Sequence, residues 1–505
     1  MRRRHFMGLA GGALMASQPV FAMTPGRDSG RDRASDAPGA SESPADAQFE
    51  EMCRLIEVKM AEYRTTGVAF GLSRGGVRQL RGFGLTSVDN PQPVTPDTVF
   101  PIASISKTVA GTALMRLHDQ GLLDVEAPVQ TYLPDFRLGD PSAAAEVRIW
   151  HLMTHTPGWE GQLGTPDRGP VTFENFIETL SDLPQLARPG EVWSYHNAGW
   201  GVAGRILEVV TGTTIHSALH DLVFEPLALD RAFSRTGEAM SYRFAQPHGF
   251  ADGRTVVNRP FELPANVTAG GCAMSVENMI RYAEFHLGDG TAESGERLMS
   301  RASLEAMRTR RIQKNSSTDE MGLGWHLRTL DGVLTAQHGG TLSGHSLHVQ
   351  LVPERDLCFA ILTNHREGWK LNEDVASAIL DEYEGLSLAP GQQTGGNRGG
   401  DERMWYHAEP LAVQPALDEY VGTYQRPPVG EVVVREEGQG LVVDTGGDSC
   451  SLVFWAPDMA YASAEGSTPG PWQIFRGMAF EFIRDDSGQV TWIRVDGRIA
   501  RKQGR

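Results

Sequence analysis

Three short stretches of this chain hold residue types able to carry out acyl transfer. The first is Phe-Pro-Ile-Ala-Ser-Ile-Ser-Lys-Thr, residues 100–108, in which Ser104 stands three places before Lys107. Residues three apart are neighbours on a helix surface. A lysine kept neutral by burial and by the positive end of a helix would accept the Ser104 Oγ proton and activate the serine as a nucleophile. The chain has only five lysines, Lys59, Lys107, Lys314, Lys370 and Lys502, so one at this spacing stands out. Ser106 falls off the face that Lys107 occupies, which leaves Ser104 as the candidate nucleophile.

The second stretch is Tyr195-His196-Asn197. A hydrogen-bonded tyrosine relays a proton to a leaving group, and an asparagine amide holds a substrate carbonyl. The third is His338-Gly339-Gly340, at the end of a strand-like run. Two glycines there are expected to let a substrate backbone come close to a sheet edge. The backbone N–H of Thr341, with that of Ser104, would form an oxyanion hole. His151 and His155 lie one helical turn apart, and His338, His345 and His348 are close in sequence. Neither group has a His-Glu-x-x-His spacing or a cysteine partner, so no metal and no organic cofactor is expected. His155 reads instead as a loop-ordering residue.

These side chains need elements to hold them. A helix is expected over FEEMCRLIEVKMAEY, followed by two short strands that turn at Gly75-Gly76 as a hairpin. Ile105, Val109, Ala113 and Leu117 recur every four residues, which predicts a helix running from Ser104 to a stop at Gly121. Residues 125–300 read as mainly helical with long loops. From residue 322 the pattern returns to strands (GLGWHLRTL, GVLTAQHGG, HSLHVQLVP, CFAILTN) and then to a helix, NEDVASAILDEYEGL. Strands at both ends with helices between them predict an α+β fold: one antiparallel sheet built from both ends of the domain, with a helical insertion. After a Gly-rich linker at 387–408, the remaining 409–505 alternate short strands with Gly and Asp turns, which predicts a small all-β domain.

A chain of 505 residues suits a two-lobed core with an added module. The formal net charge of −17 argues against a nucleic-acid partner and against an anionic membrane surface. Residues 1–22 (MRRRHFMGLAGGALMASQPVFA) read as an export signal of the twin-arginine kind, cleaved after Ala22, and 23–46 as a flexible spacer. The expected location is periplasmic or secreted, with no membrane span in the mature chain. Cys53, Cys272, Cys358 and Cys450 are scattered and read as single buried thiols.

The order Ser-x-x-Lys, Tyr-x-Asn, His-Gly-Gly resembles that of the serine β-lactamase-like hydrolases: class C β-lactamases, D-alanyl-D-alanine carboxypeptidases, D-aminopeptidases and related esterases. The resemblance spans residues 47–386 and extends to GLLDVEAPVQTYLP, HLMTHTPGW and AGGCAMSVENMIRYAEF. The tail resembles, more loosely, the lipocalin-like β-domain appended to some members. The resemblance implies that Ser104 is acylated, that Lys107 takes its proton, that Tyr195 assists proton transfer, and that Asn197 contacts the substrate amide. His338 stands where β-lactamases and penicillin-binding proteins carry the lysine of a Lys-Thr-Gly triplet, and Gly339 where they carry its threonine. That departure turns the expectation toward small esters or D-amino-acid amides and peptides. A β-lactamase, a carboxypeptidase or a slow penicillin-binding protein is the alternative. The oligomeric state is left open.

Overall fold

A computed structural model describes residues 44–161, 172–314, 319–386, 411–412, 415–427, 430–447, 449–463 and 479–504. The leader, most of the spacer and the linker at 387–408 lie outside the described residues. Helix α1 (Pro44–Tyr63) leads into the hairpin of β1 (Gly67–Arg74) and β2 (Val77–Gly84). Arg74 pairs with Val77 across Gly75 and Gly76, both at positive φ (57° and 76°), where glycine avoids the left-handed strain that other residues meet.

A mainly helical segment follows. It includes α2 (Ser106–Asp119), α3 (Asn197–Thr211) and α4 (Val276–Leu287). The chain then returns to the sheet through β3 (Ile312–Gln313), β4 (Asp319–Met321), β5 (His326–Leu330), β6 (Val333–Leu342), β7 (His345–Val352) and β8 (Leu357–Thr363). Helix α5 (Gly368–Ala378) ends this domain. The eight strands run in the order β2-β1-β8-β7-β6-β5-β4-β3, with every pairing antiparallel. The sheet is thus built from both ends of the domain, as expected, and β3 and β4 extend it by two strands the sequence reading did not include.

Strand β8 shows why the sheet must be covered on both sides. Phe359 and Ile361 point into a core shared with Phe49 and Ile56 of α1 and Leu371 and Val375 of α5. Cys358, Ala360 and Leu362 point the other way, into the core under the helical segment. Successive side chains alternate faces, so a strand buried on both sides has to be apolar throughout.

Helix α2 departs from the expected single stripe. Every residue from Ser106 to Leu117 is buried, so it is a central helix packed on all sides. The four cysteines are buried. No described helix is long and apolar enough to cross a membrane.

The C-terminal region is a closed, lipocalin-like barrel of eight strands in sequential order: β9 (Gly422–Arg426), β10 (Gly430–Glu437), β11 (Gly440–Asp444), β12 (Ser449–Ala456), β13 (Met459–Ala462), β14 (Ala479–Arg484), β15 (Val490–Val495) and β16 (Arg498–Lys502). Its interior is filled by side chains such as Tyr424, Val432, Phe454, Phe482 and Ile493. Closure leaves no free strand edge.

Candidate active site

Ser104 sits in a single 3₁₀ turn, Ala103–Ile105, immediately before α2. Ala103 takes a left-handed backbone (φ 46°), a strained setting of the kind that gathers at functional positions. The Ser106 hydroxyl is fully engaged in structure: it donates to the Ala103 carbonyl at 2.6 Å and accepts from the Cys272 N–H at 3.0 Å. Lys107, in the first turn of α2, has no solvent exposure. Its Nζ donates to Ser104 Oγ at 3.3 Å and to the Ala269 carbonyl at 2.5 Å, and lies 4.9 Å from the centre of the Tyr195 ring. The spacing that singled out Ser104 and Lys107 therefore does bring them together.

Tyr195 joins the same cluster, hydrogen-bonded to both Lys107 and Ser104. Burial pushes its phenol up. The charge of Lys107, those two hydrogen bonds and the charge of Arg498 outweigh burial and hold it below the usual tyrosine range. His155 stacks on the Tyr195 ring with centroids 4.5 Å apart. His155 Nδ1 accepts the His196 N–H at 2.9 Å, and His196 Nδ1 accepts the Gly199 N–H at 2.7 Å as the cap of α3. The loop-ordering role expected of His155 is what this bond performs. Asn197 is the first residue of α3. Its carbonyl accepts from Asn266 Nδ2 at 3.2 Å, and it does not line the cavity described below.

His338 lies on β6 and is buried; burial first, then the charge of Lys107, holds its imidazole down to about 3, so it is neutral at pH 7. Its Nδ1 donates to the Gly339 carbonyl at 2.7 Å, which leaves Nε2 as a bare acceptor. Strand β5 pairs with β6 only as far as Gln337, opposite His326, so residues 338–342 of β6 are laddered to β7 alone. Their other side is the expected sheet edge beside Ser104. Gly340 packs closely against the turn that carries Ser104. A Cβ there would lie 2.5 Å from the Ile102 carbonyl oxygen and 3.2 Å from Ala103 Cβ. Its missing side chain admits that turn, and Gly340 also lines the cavity described next.

Ser104, Tyr195, His338, Gly340 and Thr341 open onto one cavity. A β-lactamase family model matches residues 52–383. The chain belongs to the β-lactamase family. It is 31% identical over 303 residues to penicillin-binding protein 4 of Amycolatopsis lactamdurans, covering 58% of this chain and 80% of that protein. It is 29% identical over 355 residues to the esterase EstB of Burkholderia gladioli, covering 60% and 86%. Among solved structures, SurE superposes with a TM-score of 0.74 at 22% identity, over 91% of this chain and all of the other. That fold likeness therefore takes in the barrel, whereas a class C β-lactamase superposes (TM-score 0.59, 19% identity) over only 69% of this chain.

In this β-lactamase-family serine hydrolase the barrel forms one wall of the cavity. The β15–β16 turn places Asp496, Gly497 and Arg498 in the lining. The Gly497 carbonyl accepts the Tyr195 N–H at 2.8 Å, the Ile499 N–H donates to Ser194 Oγ at 3.2 Å, and Arg494 donates to the Trp193 carbonyl at 2.8 Å. Trp492 and Ile499 pack with Leu186, Ala187 and Val192, and Trp492 Nε1 donates to the Leu186 carbonyl at 2.9 Å. The barrel is thus bound to the segment that presents Tyr195. The cavity is also lined by Lys314, Asp319, His326 and Arg328, none of which sequence reasoning had marked as site residues. The Asp-Gly pair at 496–497 signals a hairpin turn in the sequence, but nothing local says where the turn docks.

Proposed function

We propose that this hydrolase works through a covalent acyl-enzyme on Ser104 and cleaves small esters or D-amino-acid amides and peptides. The observation that carries the reading is the Lys107 Nζ–Ser104 Oγ hydrogen bond, with Tyr195 bonded to both. Lys107 first releases its proton to solvent; Ser104 Oγ then attacks the carbonyl carbon and its proton passes to Lys107 Nζ. The Ser104 and Thr341 N–H groups hold the resulting oxyanion. Proton delivery through Tyr195 expels the alcohol or amine. Water then adds to the acyl-enzyme, the acid leaves, and Ser104 regains its proton.

The substrate preference follows from His338. A neutral imidazole with a bare Nε2 is a poor counterion for a substrate carboxylate and a good acceptor for a substrate N–H or O–H. The likeness to an esterase supports the same reading. The likeness to a penicillin-binding protein supports a second one, in which β-lactams acylate Ser104 and are released slowly. The chain is proposed to be exported by its N-terminal leader. N-terminal sequencing of protein recovered from the periplasm, starting after Ala22, tests that.

One experiment separates the catalytic readings. Mature protein is assayed on a short-chain acyl ester, a D-alanine anilide and a cephalosporin beside Ser104→Ala, Lys107→Met and Lys107→Arg. General acid–base assistance contributes about 10²–10⁴-fold, and arginine keeps its proton, so both lysine variants are expected to lose that much. Intact-mass analysis should show an acyl adduct on the wild type and none on Ser104→Ala. Turnover that survives Ser104→Ala would end the proposal, and a stable penicillin adduct without turnover would favour the second reading.

A further inference from the structure

Within the cavity, Lys314 is a cation that the mechanism above does not use. It follows β3, and its side chain is 11% exposed. Its Nζ sits 5.0 Å from the centre of the Trp193 ring, and that ring lies 6.4 Å from the ring of Tyr195. Lys314 therefore stands one aromatic ring away from the tyrosine that bonds Ser104. Trp193 and His326 wall this end of the cavity, their rings 6.2 Å apart.

The charges at this end do not cancel at Lys314. Asp319 is gripped by Arg328, which donates from Nε at 2.6 Å and from a terminal nitrogen at 3.0 Å, the geometry of a two-pronged guanidinium–carboxylate pair. Lys314 reaches the same carboxylate only at 3.8 Å. Nearby, Glu481 is taken by Arg494. On the barrel wall Arg498 lies 3.6 Å from Asp496. A buried ammonium whose counterion among the described residues is loose and shared gains from a second anion, because a charge taken out of water is costly unless it is paired. Burial also lowers the Lys314 pKa, and an incoming anion opposes that shift. His338, with its bare nitrogen, supplies no positive charge to compete.

We infer that Lys314, seated on Trp193, is a binding site for an anionic group of the substrate, a carboxylate carried away from the bond that Ser104 attacks. The proposal rests on reading this cavity as the acyl-transfer site. It assigns substrate discrimination to a residue outside all three sequence motifs. Glu373, on α5, also lines the cavity. A ligand directed to Glu373 would show the opposite charge preference, which makes the sign of the effect diagnostic.

The test is a binding measurement that needs no turnover. Ser104→Ala protein is titrated by calorimetry with N-acetyl-D-alanine and with N-acetyl-D-alaninamide. The acid is expected to bind at least tenfold tighter. Adding Lys314→Met should abolish that difference while the affinity for the amide stays the same. Lys314→Arg, which keeps the charge, should retain most of the difference and guards against a folding defect. The inference is overturned if acid and amide bind alike, if the amide binds better, or if the preference survives Lys314→Met and is lost instead in Arg498→Met. Ester turnover by the wild type tests the acyl-transfer reading separately, so the two can fail independently.

Discussion

The backbone N–H of Tyr195 donates to the carbonyl of Gly497 at 2.8 Å, which ties the tyrosine beside Ser104 to the tip of a barrel hairpin. Asp496 (φ 49°) and Gly497 (φ 73°) both take the left-handed conformation, as a two-residue hairpin turn requires. One end of this contact precedes α3 in the catalytic domain and the other joins β15 to β16 in the barrel, so the site depends on the barrel as well as on its own domain.

Gly497→Val tests this dependence. A β-branched residue in the left-handed region costs about 1–2 kcal/mol and pulls the turn away from Tyr195. Turnover is expected to fall tenfold or more while the thermal midpoint drops by only a few degrees. Unchanged kinetics would mean that the contact does not position Tyr195.

Arg498 lies 5.5 Å from the centre of the Tyr195 ring and is one of the charges that hold its phenol down. Removing a cation raises the pKa of a group whose charged form is an anion. In Arg498→Met, the limb of the pH–rate profile governed by Tyr195 should move to higher pH, and ultraviolet titration of the phenol should move with it. A limb that stays put, or moves down, would separate the barrel from the chemistry.

Gly340→Ala places a Cβ 2.5 Å from the Ile102 carbonyl, a backbone atom that cannot swing aside. Either β6 or the Ser104 turn must shift, and a misplacement of about 1 Å can cost 10²-fold in rate. The variant is expected to fold with reduced stability and to lose most activity on every substrate. Full activity would show that the close packing of β6 on the turn is dispensable.

Stability should fall at mildly acidic pH, before most carboxylates titrate. Burial holds His196, His286 and His338 down to about 3, and His345 and His348 down to about 4. Their folded values lie below the unfolded value near 6.5, so the unfolded chain binds more protons in between. Their contribution is intact above about pH 6.5 and is lost as the pH falls, at roughly 1.4 kcal/mol per pH unit for each proton taken up. Urea unfolding between pH 6 and pH 5 should give a slope worth at least about three protons. A slope worth less than one proton would show that these imidazoles are charged in the folded protein.

Much of the site was legible because its parts are local. Ser104 and Lys107 are three residues apart, and Gly75-Gly76 turns a hairpin wherever alternating strands flank it. The alternation that builds the barrel likewise lies within each strand. What was not legible depends on residues far apart in the chain. The docking of Gly497 on Tyr195, the place of Lys314 over Trp193 and the stacking of His155 on Tyr195 leave no periodic trace. Gly340 is a different case. A glycine reports that something comes close, and the sequence could not say that the visitor is Ile102.

The barrel wall also sets a timetable for synthesis. Ser194 and Ile499, which hydrogen-bond across the domain junction, are 305 residues apart in the chain. At about 5–20 residues per second, a ribosome adds them roughly 15–60 s apart. Throughout that interval the Ser104 turn, α2 and Tyr195 already exist on the nascent chain, while the cavity still lacks the side that β15 and β16 supply. A half-made chain therefore carries Ser104 and Tyr195 without the cavity wall that β15 and β16 supply, and that wall is added only when translation is nearly over.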